Sequence, residues 1–154
     1  HRVSGTIASL RTELLFLEDM QLAMKDFVSG INLILLRRYQ MAKRPVEIEI
    51  SAETRERGKL LQMAGVLSDE RIPELCMIVQ ELCNNSLKYT AGTTHWQIEA
   101  DASHLCIKVN AKSRRRAREN GMGRDTLRHR TEKLGAHFSH SVANGTYRAL
   151  VEVL

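Results

Sequence analysis

The chain has 154 residues, 43% of them hydrophobic and 27% charged, with a net charge of +5 at neutral pH. That length and balance fit one compact domain with a helical appendage and exclude a disordered chain. The longest apolar runs, such as INLILL (31–36), are too short to cross a bilayer, and SRRRAR (113–118) with Lys112 carries as many positive charges as the net value, so the charge belongs to one loop.

From the amino terminus, Val3, Ile7, Leu10, Leu14 and Leu17 recur at spacings of four and three, the period of a helix with a narrow seam that packs against another helix. Met24, Phe27, Ile31 and Ile34 repeat the rhythm, which predicts a second helix, a junction near residues 18–22 and an end before Pro45. VEIEIS (46–51) alternates as a half-buried strand. Residues 52–70 are ambiguous, with room for a short helix in RGKLLQMAGVL. Pro73 suits the first turn of the next helix, which Ser68 or Asp69 can cap and which runs to about Tyr89. THWQIEAD (94–101) and HLCIKVN (104–110) read as a hairpin, followed by the basic stretch, NGMG (120–123) and a helix to about Leu134. AHFSHSV (136–142) and TYRALVEVL (146–154) form a second hairpin across ANG.

The fold class that follows is α/β (α+β): a two-layer sandwich in which helices cover one face of a mixed, mostly antiparallel sheet, preceded by an N-terminal helical segment. The one plausible boundary divides 1–20, a helical segment, from 21–154, the domain proper. Cys76, Cys83 and Cys106 are odd in number, sit in apolar-patterned stretches and lack metal-ligand spacing, so they read as buried reduced thiols of a cytoplasmic protein. The chain starts without methionine or a signal peptide and reads as a piece of something longer, any membrane attachment coming through upstream segments.

QELCNNSLKYT (80–90) carries the most chemistry. Leu75, Val79, Leu82 and Ser86 fall on one helical stripe; Glu81, Asn85 and Lys88 fall on another, with Asn84 alongside. A solvated polar face is one explanation. Against it, consecutive asparagines in mid-helix are locally unfavourable, and such conflicts gather at functional sites. A carboxylate and an amide oxygen one turn apart can hold Mg²⁺ directly or through water, and a nearby lysine can meet phosphate.

IVQELCNNSLKYTAGT (78–93) resembles the N-box of the GHKL (HATPase-type) ATPases, specifically that of two-component sensor histidine kinases. GMGRDTLRHRTEKLGAHF (121–138) resembles the second glycine box of those kinases, and ANGTYRALVEVL (143–154) their closing Gly-Thr strand. The resemblance implies a domain that binds Mg-ATP and passes its γ-phosphoryl to histidine in signal transduction. Asn85 would coordinate Mg²⁺, and Glu81 would orient a metal-bound water or assist proton transfer. Lys88 and Tyr89 would approach phosphates or ribose, Gly121 and Gly123 would let backbone amides near phosphate, and Thr146 would sit near the base of the adenine pocket. His1 falls where the phosphoacceptor would stand, with Arg2 in place of the usual acid. Partners implied are a response regulator receiver domain and a second copy through the N-terminal helices.

The first glycine box departs from the pattern. Ala111, Lys112 and Ser113 stand where Asp-Asn-Gly is expected, leaving Asn110 as a displaced stand-in for the aspartate that accepts from adenine. A degenerate, non-ATP-binding pseudokinase serving as a protein-binding or phosphotransfer module is therefore the alternative. A GHKL serine kinase of the anti-sigma type fits the sequential helices before the sheet less well. SRRRAR lacks aromatic residues and a helix-turn-helix context, so it reads as a lid over the nucleotide or a solvated loop, and not as a nucleic-acid patch.

Overall fold

A computed structural model describes residues 2–114 and 124–153. His1, Gly121 and Gly123 lie outside them. The elements are α1 (Arg2–Lys25), α2 (Phe27–Met41), β1 (Val46–Ile50), α3 (Ala52–Met63), α4 (Arg71–Tyr89), β2 (Thr90–Ala100), β3 (Leu105–Ser113), α5 (Arg124–Leu134), β4 (His137–Ala143) and β5 (Thr146–Val153). The strands form one sheet in the order β1-β2-β3-β5-β4, with β1 parallel to β2 and the other pairs antiparallel. Helices cover one face, as the sequence predicts.

The helical junction lies at Asp26, not at residues 18–22. Asp26 adopts an extended conformation, and its side chain accepts from Ser29 N–H at 3.3 Å, which starts α2. Gln62 of α3 closes the break from outside: its amide oxygen accepts from Phe27 N–H at 2.9 Å and its amide nitrogen donates to the Met24 carbonyl at 3.3 Å. A distant glutamine thus satisfies backbone groups that a junction leaves open. The stretch at 52–63 is a full helix, capped by Ser51, whose hydroxyl accepts from Thr54 N–H at 3.1 Å. Ser68 Oγ likewise accepts from Arg71 N–H at 3.3 Å where α4 begins.

One hydrophobic core joins Phe27, Ile31 and Leu35 of α2 and Leu75, Val79 and Leu82 of α4 to Trp96, Ile98, Ile107, Val109 and Val151 of the sheet. All three cysteines are buried and free, and burial pushes the Cys76 thiol up to about 12. The hairpin at Asn144-Gly145 places both residues at positive φ (53° and 73°), the geometry of a two-residue turn matched to strand twist. In α1, Leu10, Leu14 and Leu17 are all more than half exposed, so this part of the seam read from the sequence is not covered by the described residues. The face of α1 that does pack carries Phe16, Met20 and Ala23.

Gly30 marks the closest approach of α1 and α2. A Cβ built there would come within 2.4 Å of the Ala23 backbone, so the two helices meet only because the side chain is absent. Gly30→Ala is expected to force them apart and cost about 1–3 kcal/mol, read as a lower midpoint in urea unfolding.

Candidate functional site

The carboxy-terminal half of α4, the end of β3 and the start of β5 meet at one end of the sheet. Lys112 of β3 pairs with Thr146 of β5, and Arg114, just past β3, donates its backbone N–H to the Tyr89 carbonyl at 2.9 Å. Two arginines fasten this corner. Arg44 donates to the Leu87 carbonyl at 3.3 Å and the Gly92 carbonyl at 3.2 Å, and Arg114 Nε donates to the Thr90 carbonyl at 3.1 Å. The last carbonyls of a helix lack intrahelical donors and sit at the negative end of its dipole, so cations there satisfy both needs. Arg114, the first arginine of the basic run, is thereby a fastening of α4. The arginines at 115, 116 and 118 lie outside the described residues.

Helical spacing on α4 sorts the polar residues as the sequence suggests. Leu82, Cys83 and Ser86 turn to the core, while Glu81 and Asn85 are half-buried and Lys88 is exposed. The paired asparagines separate in role. Asn84 is exposed, and its side-chain oxygen accepts from both Nε (3.1 Å) and Nη2 of Arg38, tying α4 to α2. Asn85 lies on the Glu81 face. Tyr89 packs partly on the core, and the Lys88 ammonium stands 5.2 Å over its ring, a cation–π pair.

Glu81 has a partner that sequence reasoning did not single out. Arg130 of α5 donates through Nε to Glu81 Oε1 at 2.7 Å and through Nη1 to Glu74 Oε1 at 3.1 Å. These contacts, with Glu81 first, raise the Arg130 pKa above its ordinary value. The side chains are between a fifth and a third exposed, so the triad is only partly screened. It clamps α5, the helix after the glycine loop, onto the helix that carries the candidate site. A half-buried glutamate needing a cation, with an arginine-rich helix downstream, is the signal that points to it. Arg130→Met is expected to cost about 1–2 kcal/mol, because two partly buried carboxylates lose their shared cation; urea unfolding of the variant measures it.

Thr146 opens β5 opposite Lys112 and Ala143, half-buried. Strand alternation places it on the outer face with Arg148 and turns the adjacent Tyr147 to the helices. Tyr147 is 1% exposed, its hydroxyl has no hydrogen-bond partner among the described residues, and burial raises its pKa. Its cross-strand neighbour is Ala111, 3% exposed. Asn110 lies on the outer face, exposed, between His95 of β2 and Arg148 of β5. It points away from the helices and does not stand in for an aspartate on the inner face.

Behind this corner lies a buried polar network. Trp96 Nε1 donates to the Tyr39 hydroxyl at 2.9 Å, that hydroxyl bonds Ser86 Oγ, and Ser86 Oγ donates to the Cys83 carbonyl at 2.9 Å. The Tyr39 and Trp96 rings meet edge to face at 6.5 Å. Residues from α2, α4 and β2 are thus locked beneath the site.

The donor set on α4 suits a hard cation. Glu81 and Asn85 offer a carboxylate and an amide oxygen one helical turn apart, and no cluster of three or more His, Cys, Asp or Glu able to hold a metal occurs among the described residues. Mg²⁺ commonly takes one or two protein oxygens and completes its shell with water and phosphate, so the residues fit it. The base side fits adenine less well, because Ala111 offers no acceptor. Among the described residues no helix is long and apolar enough to cross a membrane.

No protein-family model matches the chain, and no curated protein matches it by sequence. Solved structures do match. The histidine kinase domain of the Erythrobacter litoralis EL346 blue-light activated histidine kinase superposes with a TM-score of 0.70 at 13% identity, covering 97% of this chain and 81% of that one. A second structure of that EL346 kinase gives 0.68 at 12% identity, covering 99% of this chain and 49% of that chain, so this chain spans about half of that longer protein. The Acinetobacter baumannii histidine kinase AdeS gives 0.55 at 16% identity, covering 97% and 77%. Together with the five-stranded mixed sheet and its helical layer, these likenesses show that the chain has the fold of histidine kinase catalytic domains.

Proposed function

We propose that the chain is the cytoplasmic catalytic portion of a bacterial two-component sensor histidine kinase, a phosphotransferase acting on nucleoside triphosphate. One observation carries the reading: Glu81, Asn85 and Lys88 share a face of α4 at the corner where β3 ends and β5 begins, within a histidine kinase catalytic fold.

In such a site the protein positions groups and offsets charge and forms few bonds itself. Asn85 would hold Mg²⁺ through its amide oxygen, with Glu81 reaching it through water. The metal, when bound, neutralises charge on the phosphates. Arg130 ties the Glu81 carboxylate to α5 and so sets where it can accept a proton or a water. Lys88, exposed, would meet phosphate as a point charge. Tyr89 supports Lys88 from below. Gly121 and Gly123 would admit phosphate to backbone amides ahead of α5, whose amino terminus favours an anion. The γ-phosphoryl would pass to a histidine, with His1 the candidate in this chain, and on to the aspartate of a response regulator receiver domain. The uncovered Leu10, Leu14 and Leu17 stripe on α1 suits pairing with a second copy.

A second reading, a non-catalytic member acting as a binding module, is favoured by Ala111, which puts a methyl group where a base acceptor is expected. Displacement of a fluorescent ATP analogue separates the two. Mg-ATP competing at micromolar to millimolar concentration supports the kinase; no displacement at millimolar nucleotide leaves the binding module.

A further inference from the structure

Adenine and guanine differ at the edge a pocket floor would read. Adenine presents an amino donor where guanine presents a carbonyl acceptor, so telling them apart takes a group that only accepts or only donates. A carboxylate or amide oxygen only accepts; a hydroxyl does both.

At this corner the polar helix-facing side chains of the sheet, among the described residues, are Tyr147 of β5, Ser113 of β3, His140 of β4 and Thr90, Thr94 and Trp96 of β2, around the apolar Ala111. None carries a carboxylate or an amide. The polar atoms are the hydroxyls of Tyr147, Ser113, Thr94 and Thr90, the last given to the Ser86 carbonyl, the His140 imidazole, and an indole N–H already given to Tyr39. The nearest amide on the strands, Asn110, faces the other side of the sheet. The Tyr147 hydroxyl, buried and without a hydrogen-bond partner among the described residues, stands across from Ala111 and can donate or accept as a base requires. On α4, by contrast, acid, amide and lysine are all present for metal and phosphate.

Resting on the nucleotide-site reading above, we infer that this site takes Mg-bound nucleoside triphosphates by their phosphates and does not select adenine over guanine. Sites that reject an analogue strongly do so by leaving a dedicated buried polar group unpaired, and among the described residues this floor holds no carboxylate or amide to leave.

The test is calorimetric titration of the chain with ATP, GTP and inorganic tripolyphosphate, each with Mg²⁺. ATP and GTP are expected to bind within about threefold of each other, with tripolyphosphate retaining most of the affinity. ATP binding more than about tenfold tighter than GTP overturns the inference while leaving the nucleotide site standing. Binding of none of the three at millimolar concentration sinks the site reading and the inference with it. Ala111→Asp adds a one-sided acceptor opposite Tyr147 and is expected to create a preference for ATP of about tenfold, with circular dichroism checking its fold; a folded variant that still binds both equally overturns the inference.

Discussion

Asn85→Ala is expected to weaken Mg-dependent nucleotide binding about a hundredfold, or ~2.7 kcal/mol, with the unfolding midpoint in urea little changed. Alanine is the better helix former, so α4 gains locally what it loses in side-chain contact. Asn84→Ala is the control one residue away. It removes the acceptor for Arg38 and is expected to cost about 1 kcal/mol of stability while leaving nucleotide affinity nearly unchanged. Calorimetric titration and urea unfolding of both variants check the crossing pattern. A solvated polar face would give neither variant a binding effect.

Trp96→Ala carries the largest expected loss of stability. The indole is 1% exposed, packs edge-on to Tyr39 and donates to its hydroxyl at 2.9 Å. Truncation empties a large volume in the centre of the inner face and takes a donor from the network that joins α2, α4 and β2. The combined cost is about 3–5 kcal/mol, a third or more of the stability of a typical domain. Chemical unfolding measures it, and Tyr39→Phe, which keeps the ring and removes only the hydroxyl, is expected to cost about 1–2 kcal/mol.

Periodicity made much of this architecture legible. The alternation of VEIEIS, the apolar stripe of α4 and the Asn-Gly hairpin each depend on neighbours in sequence, and each stands as read. The junction at Asp26 was not legible because Gln62, thirty-five residues beyond Phe27, supplies its bonding partners. The α3 helix was ambiguous because its apolar content is low and only Thr54, Gly58 and Leu61 are buried along it. β3 extends to Ser113, so Ala111 and Lys112 lie within the strand, where cross-strand pairing to β5 decides the length. At the site, helical geometry grouped Glu81, Asn85 and Lys88 correctly on one face. It could not show that Arg38 engages Asn84 or that Arg130 engages Glu81, since those contacts span 46 and 49 residues.

The assignment of Glu81 and Asn85 to a Mg-phosphate site is tested most directly by titrating a nucleoside triphosphate into the purified chain with Mg²⁺ and again with excess EDTA. Binding in Mg²⁺ that weakens at least about tenfold in EDTA is the expected result. Equal affinity in the two conditions, or no binding at millimolar nucleotide in either, contradicts it.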